Sequence, residues 1–134
     1  MKSTIVLALG LGMSFLVNAQ GIPVLEKVYS GKTTETSINA SKKNPKTQTQ
    51  DVTATLTILK QDGPHVEFIY QNPNYKAYEI GTISPDGKRL QIAYKGGSGV
   101  YEINGNKLTG CGAGRVNEGP FGQWINTYYA WCED

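Results

Sequence analysis

The side chains able to do chemistry are few. His65 is the single histidine, and it stands beside Pro64 at a turn signal, where a solvated or capping role fits better than catalysis. A Ser-His-Asp arrangement would depend on that one residue, and no Gly-x-Ser-x-Gly elbow is present to hold a nucleophile. Metal sites made from cysteine and histidine are excluded by number once the two cysteines are bonded to each other. Glu67, Glu79 and Glu102 fall on neighbouring strand-like runs. Each alternates with apolar residues in a phase that points it outward, which argues against paired carboxylates for acid/base work. Gly110-x-Gly112-x-Gly114-Arg115 has the composition of a phosphate loop, but such loops lead into a helix whose N-terminus holds the anion, and no helical period follows. These glycines read instead as a bend or bulge in a curved sheet, or as room for the close approach of the disulfide. No catalytic residue, cofactor site or metal site is assigned.

Cys111 and Cys132 carry the clearest covalent signal. They are the only cysteines, there is no Cys-x-x-Cys, and a disulfide between them would tie the second arm of a hairpin to the end of the last strand. Closing a loop of about 20 residues contributes on the order of 3 kcal/mol in the chain-entropy picture.

Aromatic residues are the main pointer to binding. Trp124, Tyr128, Tyr129 and Trp131 share one C-terminal run. Alternation puts Trp124 and Tyr128 on one face and Tyr129 and Trp131 on the other, so that one pair can fill an interior while the other meets solvent, a loop or a partner. Ser98 and Tyr101, close to a glycine turn, complete the candidate binding set.

The elements that must position these residues are all strand-like. Val52, Ala54, Leu56 and Ile58 alternate with Thr53, Thr55 and Thr57; Val66, Phe68 and Tyr70 form the next inward face; Leu90, Ile92 and Tyr94 alternate with polar neighbours. Turn signals at Gln61-Asp62-Gly63, Asn72-Pro73-Asn74 and Pro85-Asp86-Gly87 separate the runs. Asn104-Gly105 is the strongest hairpin signal, and with those two residues as the loop Ile103 faces Asn106, Glu102 faces Lys107 and Tyr101 faces Leu108. Strand starts near Ile22, Asp51, Pro64, Ala77, Lys88, Gly99, Asn106 and Gln123 give about eight strands, and no segment after residue 20 shows a 3.6-residue apolar period. The fold class is therefore all-β: a small antiparallel meander closing into an approximately eight-stranded barrel with one disulfide, with a two-sheet sandwich as the alternative. Residues 22–30 read as the first strand and residues 31–50, rich in Ser, Thr, Asn and Lys, as a long polar loop with at most a weak strand over 34–38.

Residues 1–19 read as a cleaved signal peptide: Lys2, an apolar core over 5–17, and Val17-Asn18-Ala19 as a small-residue cleavage pattern. Residues 20–134 then form a single β-barrel domain. Export to the periplasm or the extracellular space agrees with a disulfide. The charge is nearly balanced, with 13 basic and 11 acidic residues in 134, which argues against nucleic acid as a partner. No run is long enough for a transmembrane segment.

Gly97-Ser98-Gly99-Val100-Tyr101 resembles the Ser-Gly-x-x-Tyr loop of the bacterial periplasmic inhibitors of c-type lysozyme, themselves small eight-stranded barrels, with one residue before the tyrosine where that family has two. The family's early-strand cysteine has no counterpart. The resemblance implies an exported protein that acts by binding. Two functions are expected on these grounds: a non-enzymatic protein-interaction module of inhibitor, immunity or adhesion-accessory type, or a lipocalin-like carrier of one small apolar or aromatic ligand. Large inward residues such as Leu56, Phe68, Leu90 and Tyr101 favour the first by filling the interior.

Overall fold

The computed structural model describes residues 21–40, 42–116 and 127–134. Eight strands run antiparallel in sequence order: β1 Val28–Asn39, β2 Thr47–Asp62, β3 His65–Asn72, β4 Tyr75–Ile83, β5 Arg89–Tyr94, β6 Gly97–Asn104, β7 Lys107–Val116 and β8 Thr127–Glu133. Each pairs with the next, and β1 pairs with β8 through Thr33–Glu133 to Asn39–Thr127, so the sheet is a closed barrel with no free edge. Closure removes the row of unpaired backbone groups that a meander without helices would otherwise expose. The barrel, not the sandwich, is the architecture. The signal-peptide segment, Trp124 and the expected strand start at Gln123 lie outside the described residues.

The alternating runs place their apolar residues inside, as their period requires. Ala54, Leu56 and Ile58 of β2, Val66, Phe68 and Tyr70 of β3, Leu90 and Ile92 of β5 and Tyr101 of β6 are all buried in one core cluster. A bulge leaves Leu59 unpaired between Ile58 and Lys60 and turns it outward, so that the pattern resumes in phase beyond it.

The first strand begins later than residue 22. Residues 22–27 are not strand; they close one end of the barrel. Leu25 is buried in the core with Ile22 packed against it. Gln61 ties this segment down by accepting from the Leu25 N–H at 2.9 Å and donating to the Pro23 carbonyl at 2.8 Å.

The expected polar loop at 31–50 is instead the outer halves of β1 and β2, with only the residues between Asn39 and Thr47 connecting them. Strand formation there does not depend on apolar residues. β1 is hydrogen-bonded on both sides, and polar cross-strand pairs lace the two strands: Thr36 Oγ1 and Thr49 Oγ1 lie 3.1 Å apart, Gln50 Nε2 donates to Glu35 Oε2 at 2.9 Å, and Lys32 reaches Asp51 at 2.8 Å.

The β6–β7 hairpin turns one residue later than the Asn-Gly signal suggests. Gly105 and Asn106 form the loop, with Gly105 at φ 63°, and the pairs are Asn104 with Lys107, Ile103 with Leu108, Glu102 with Thr109 and Tyr101 with Gly110. Both registers keep the same residues inside, so alternation alone cannot separate them. Packing does: Tyr101 needs a glycine opposite, and Glu102 finds its cation on the other side, with Arg89 Nε at 3.3 Å. Residues 97–101 are likewise part of β6 rather than a turn; the turn before them is Lys95-Gly96.

Candidate functional site

The two ends of the barrel differ. Below the level of Tyr101 the interior is packed with apolar side chains and capped by Leu25. Above it the barrel opens into a cavity of about 1200 Å³, in the range of ligand pockets rather than packing voids. The polar halves of β1 and β2 supply part of its rim through Glu35, Ser37, Gln48 and Gln50.

Its inner wall is aromatic. Tyr70, Tyr75, Tyr94, Tyr101, Tyr129 and Trp131 all line it, contributed by five strands. Glycines on β6 and β7 make this possible, because Gly99 and Gly112 lie under the Trp131 indole where no side chain would fit. Tyr101 and Trp131 stack with ring centroids 5.2 Å apart, Tyr94 and Tyr129 at 6.2 Å and Tyr70 and Tyr75 at 6.1 Å. Tyr94 is the junction of the network: its oxygen accepts from Trp131 Nε1 at 3.0 Å and from the Tyr129 hydroxyl, and its own hydroxyl donates to the Ser98 carbonyl at 3.1 Å. Burial pushes the Tyr70 phenol up to about 12 and those of Tyr101 and Tyr129 higher still, so all three remain protonated donors at neutral pH.

Three carboxyl groups face inward. Glu35 at the rim accepts from Gln50 and, at 2.7 Å, from Asn72 Nδ2. Glu133 accepts from the Tyr101 hydroxyl at 3.0 Å, and burial holds its carboxyl above the ordinary range against the opposing pull of that hydrogen bond. Glu79 is the exception. It is 6% exposed, it lines the cavity, and it makes no hydrogen bond or ion pair to another described residue. Burial alone raises it to about 7.

The inward direction of Glu79 overturns the outward phase expected from its apolar neighbours. The two-residue turn at Pro73-Asn74 fixes the matter, because it pairs Asn72 with Tyr75 and hence Phe68 with Glu79, and opposed residues share a face. Tyr78 and Ile80 are consequently outside, 76% and 62% exposed. Glu67 and Glu102 do point outward.

The candidate binding residues separate between the two surfaces. Tyr129 and Trp131 are inside and line the cavity, with Tyr101 buried at its floor. Tyr128 is outside, 48% exposed, with the Arg115 guanidinium 5.5 Å from its ring centroid. Ser98 is outside too, and it is the Ser98 backbone carbonyl that meets the cavity network. Tyr101 and Ser98 therefore do not form a shared exposed loop. Cys111 and Cys132 form a disulfide between directly paired positions of β7 and β8, on the outer face. The glycines of β7 lie against Tyr101, Trp131 and Tyr129 and form neither a phosphate loop nor a bulge.

Glu79, Tyr70, Tyr75 and Tyr94 line the cavity and were not in the candidate binding set. Tyr70 and Tyr94 were expected inward, as filling; the signal for Glu79 and Tyr75 was the phase carried across the short β3–β4 turn. Among the described residues no cluster of three or more His, Cys, Asp or Glu could hold a metal ion, and no helix is long and apolar enough to cross a membrane. Compared with protein families, curated proteins and solved structures, the chain has no match.

Proposed function

We propose that this is a non-enzymatic exported barrel that holds one small organic ligand in its open half. The observation that carries the reading is the single-ended cavity of about 1200 Å³ with tyrosine and tryptophan walls over an apolar floor. A barrel of eight strands is either filled or holds one small ligand, and here the filling stops halfway. An aromatic wall of this extent offers an organic ligand a large apolar area to bury. The disulfide is compatible with an oxidising compartment. His65 is exposed at the capped end and does not line the cavity, which leaves the aromatic wall as the feature that supports a binding role.

The test is native mass spectrometry of the protein recovered gently from the compartment that holds it. A reproducible adduct of a few hundred daltons, lost on unfolding, is the expected outcome. A bare chain under every gentle condition would sink the carrier reading.

One observation favours a second reading, a protein-interaction module. Tyr78 and Ile69 are directly paired on the outer face of β3 and β4, next to the exposed Ile80. Co-purification of a protein whose binding is lost in Tyr78→Ser, with no small-molecule adduct, would move the function to the outer face.

A further inference from the structure

We propose that the ligand of this cavity carries a positively charged organic amine, held by the Glu79 carboxylate and by the faces of the surrounding tyrosines. The inference rests on the reading of the cavity as a ligand site and goes beyond it by naming the charge and class of the ligand.

The first observation is the lone carboxyl. Glu35 and Glu133 each have hydrogen-bond donors within the protein. Glu79, more than nine-tenths buried and lining the cavity, has none among the described residues. A buried acid without a donor is strongly disfavoured unless it is protonated or meets a cation from outside. The second observation is what surrounds it. Its charge acts on Tyr75 of its own strand, Tyr94 of β5, Tyr101 of β6 and Tyr129 of β8. Those residues converge on it from four strands, and aromatic faces attract a cation through the ring quadrupole while offering an anion nothing comparable. The third is the placement of positive charge. The basic residues of the cavity rim, Lys95 and Arg115, are exposed, and Arg115 is stacked on Tyr128 outside the barrel. The cavity lining therefore carries two carboxyls, Glu35 and Glu79, and an aromatic wall.

Both halves of a cation site are thus present. The carboxylate supplies the counter-charge and a hydrogen-bond acceptor for an ammonium N–H. The tyrosine rings supply an electron-rich aromatic lining for the carbon atoms around it. A metal ion does not fit this set, because one carboxylate among rings cannot supply the several oxygen ligands that a hard cation requires.

The experiment uses three soluble probes of one shape and different charge: 2-phenylethylamine, 2-phenylethanol and phenylacetate, titrated calorimetrically into the full mature protein at pH 8. The amine is expected to bind at least tenfold more tightly than the alcohol, and phenylacetate more weakly than either. Glu79→Gln should bring the amine down to the affinity of the alcohol and leave the alcohol unchanged. Glu67→Gln, on the outer face, should leave the tenfold preference intact. In the unmodified protein the preference should shrink as pH falls from 8 to 5, an outcome that needs no variant to fold. Equal binding of amine and alcohol would overturn the amine assignment and leave the ligand cavity standing. A preference that survives in Glu79→Gln, or no saturable amine binding, would overturn it as well. Loss of the native adduct, measured separately, is what would remove the underlying carrier reading.

Discussion

The Trp131 indole on β8 lies across two glycines that are paired with each other on β6 and β7. A Cβ at Gly112 would stand 2.6 Å from Trp131 Cζ2, and one at Gly99 would stand 2.8 Å from the same atom. The aromatic wall of the cavity is therefore built against bare backbone, and the glycines of this region are there for space.

Gly112→Ala should force the indole or the backbone to move and destabilise the protein by about 1–3 kcal/mol, the usual range for overpacking. Urea unfolding followed by tryptophan emission measures it. Ala113→Ser, one residue on and facing outward, should change stability by less than about 0.5 kcal/mol. Equal stability of Gly112→Ala and the parent would show that Trp131 does not rest there.

Tyr101→Phe removes the Tyr101 donor to the buried Glu133 carboxyl. The expected loss at pH 8 is about 1–3 kcal/mol. The Glu133 carboxyl is already raised by burial, and losing the hydrogen bond raises it further. A raised carboxyl contributes stability that is present below its unfolded value and is lost as pH rises through its folded one. The penalty of Tyr101→Phe should therefore grow with pH. A penalty independent of pH between 4 and 8 would count against the bond.

Glu79 gives the parent protein its own pH dependence. Its folded value of about 7 lies above the ordinary 4.5, so its contribution is fully present below about pH 4.5 and fades as pH rises through 7. The groups facing it are Tyr75, Tyr94, Tyr101 and Tyr129, all with phenols raised by burial and so neutral over this range. Between pH 4.5 and 8 the parent should lose on the order of 3 kcal/mol through this residue. Glu79→Gln should lack that loss and keep the slope due to the remaining carboxyls, Glu133 among them. Denaturant midpoints across the pH range decide it: parallel profiles for parent and variant would rule out a buried, unpaired Glu79.

Reduction of the Cys111–Cys132 bond, or the double change Cys111→Ser and Cys132→Ser, should cost about 3 kcal/mol. The bond joins paired positions on the outer face, so the cavity should keep its shape in the folded fraction. Thiol titration of the unreduced, denatured protein should find no reactive thiol.

The architecture was legible because its signals are local. Threonine and apolar residues alternating through Val52 to Ile58 state a strand and its two faces, and turn residues at Asp62-Gly63, Pro73-Asn74 and Asp86-Gly87 state where each strand reverses. Two cysteines in a chain of this kind state a disulfide. The outer half of β1 was legible only as a weak strand over 34–38 within an expected loop. Thr34, Thr36 and Ser37 are strand only because β2 and β8 flank them, and that pairing joins residues nearly a hundred positions apart.

By itself, then, the sequence determined the all-β class, the order and approximate number of the strands, the bond between Cys111 and Cys132, and the inward set Leu56, Phe68, Leu90 and Tyr101. Those features follow from residue period, turn chemistry and cysteine count, which act over a few residues. Only the tertiary structure decided that β4 presents Glu79 to the interior and Tyr78 to solvent, that the hairpin turns at Gly105-Asn106, and that the interior is filled at one end and open at the other. Each of these is a question of phase between strands. Closing the barrel couples the phase of every strand to its neighbours, so that one short turn before Tyr75 sends a glutamate into a ring of tyrosines.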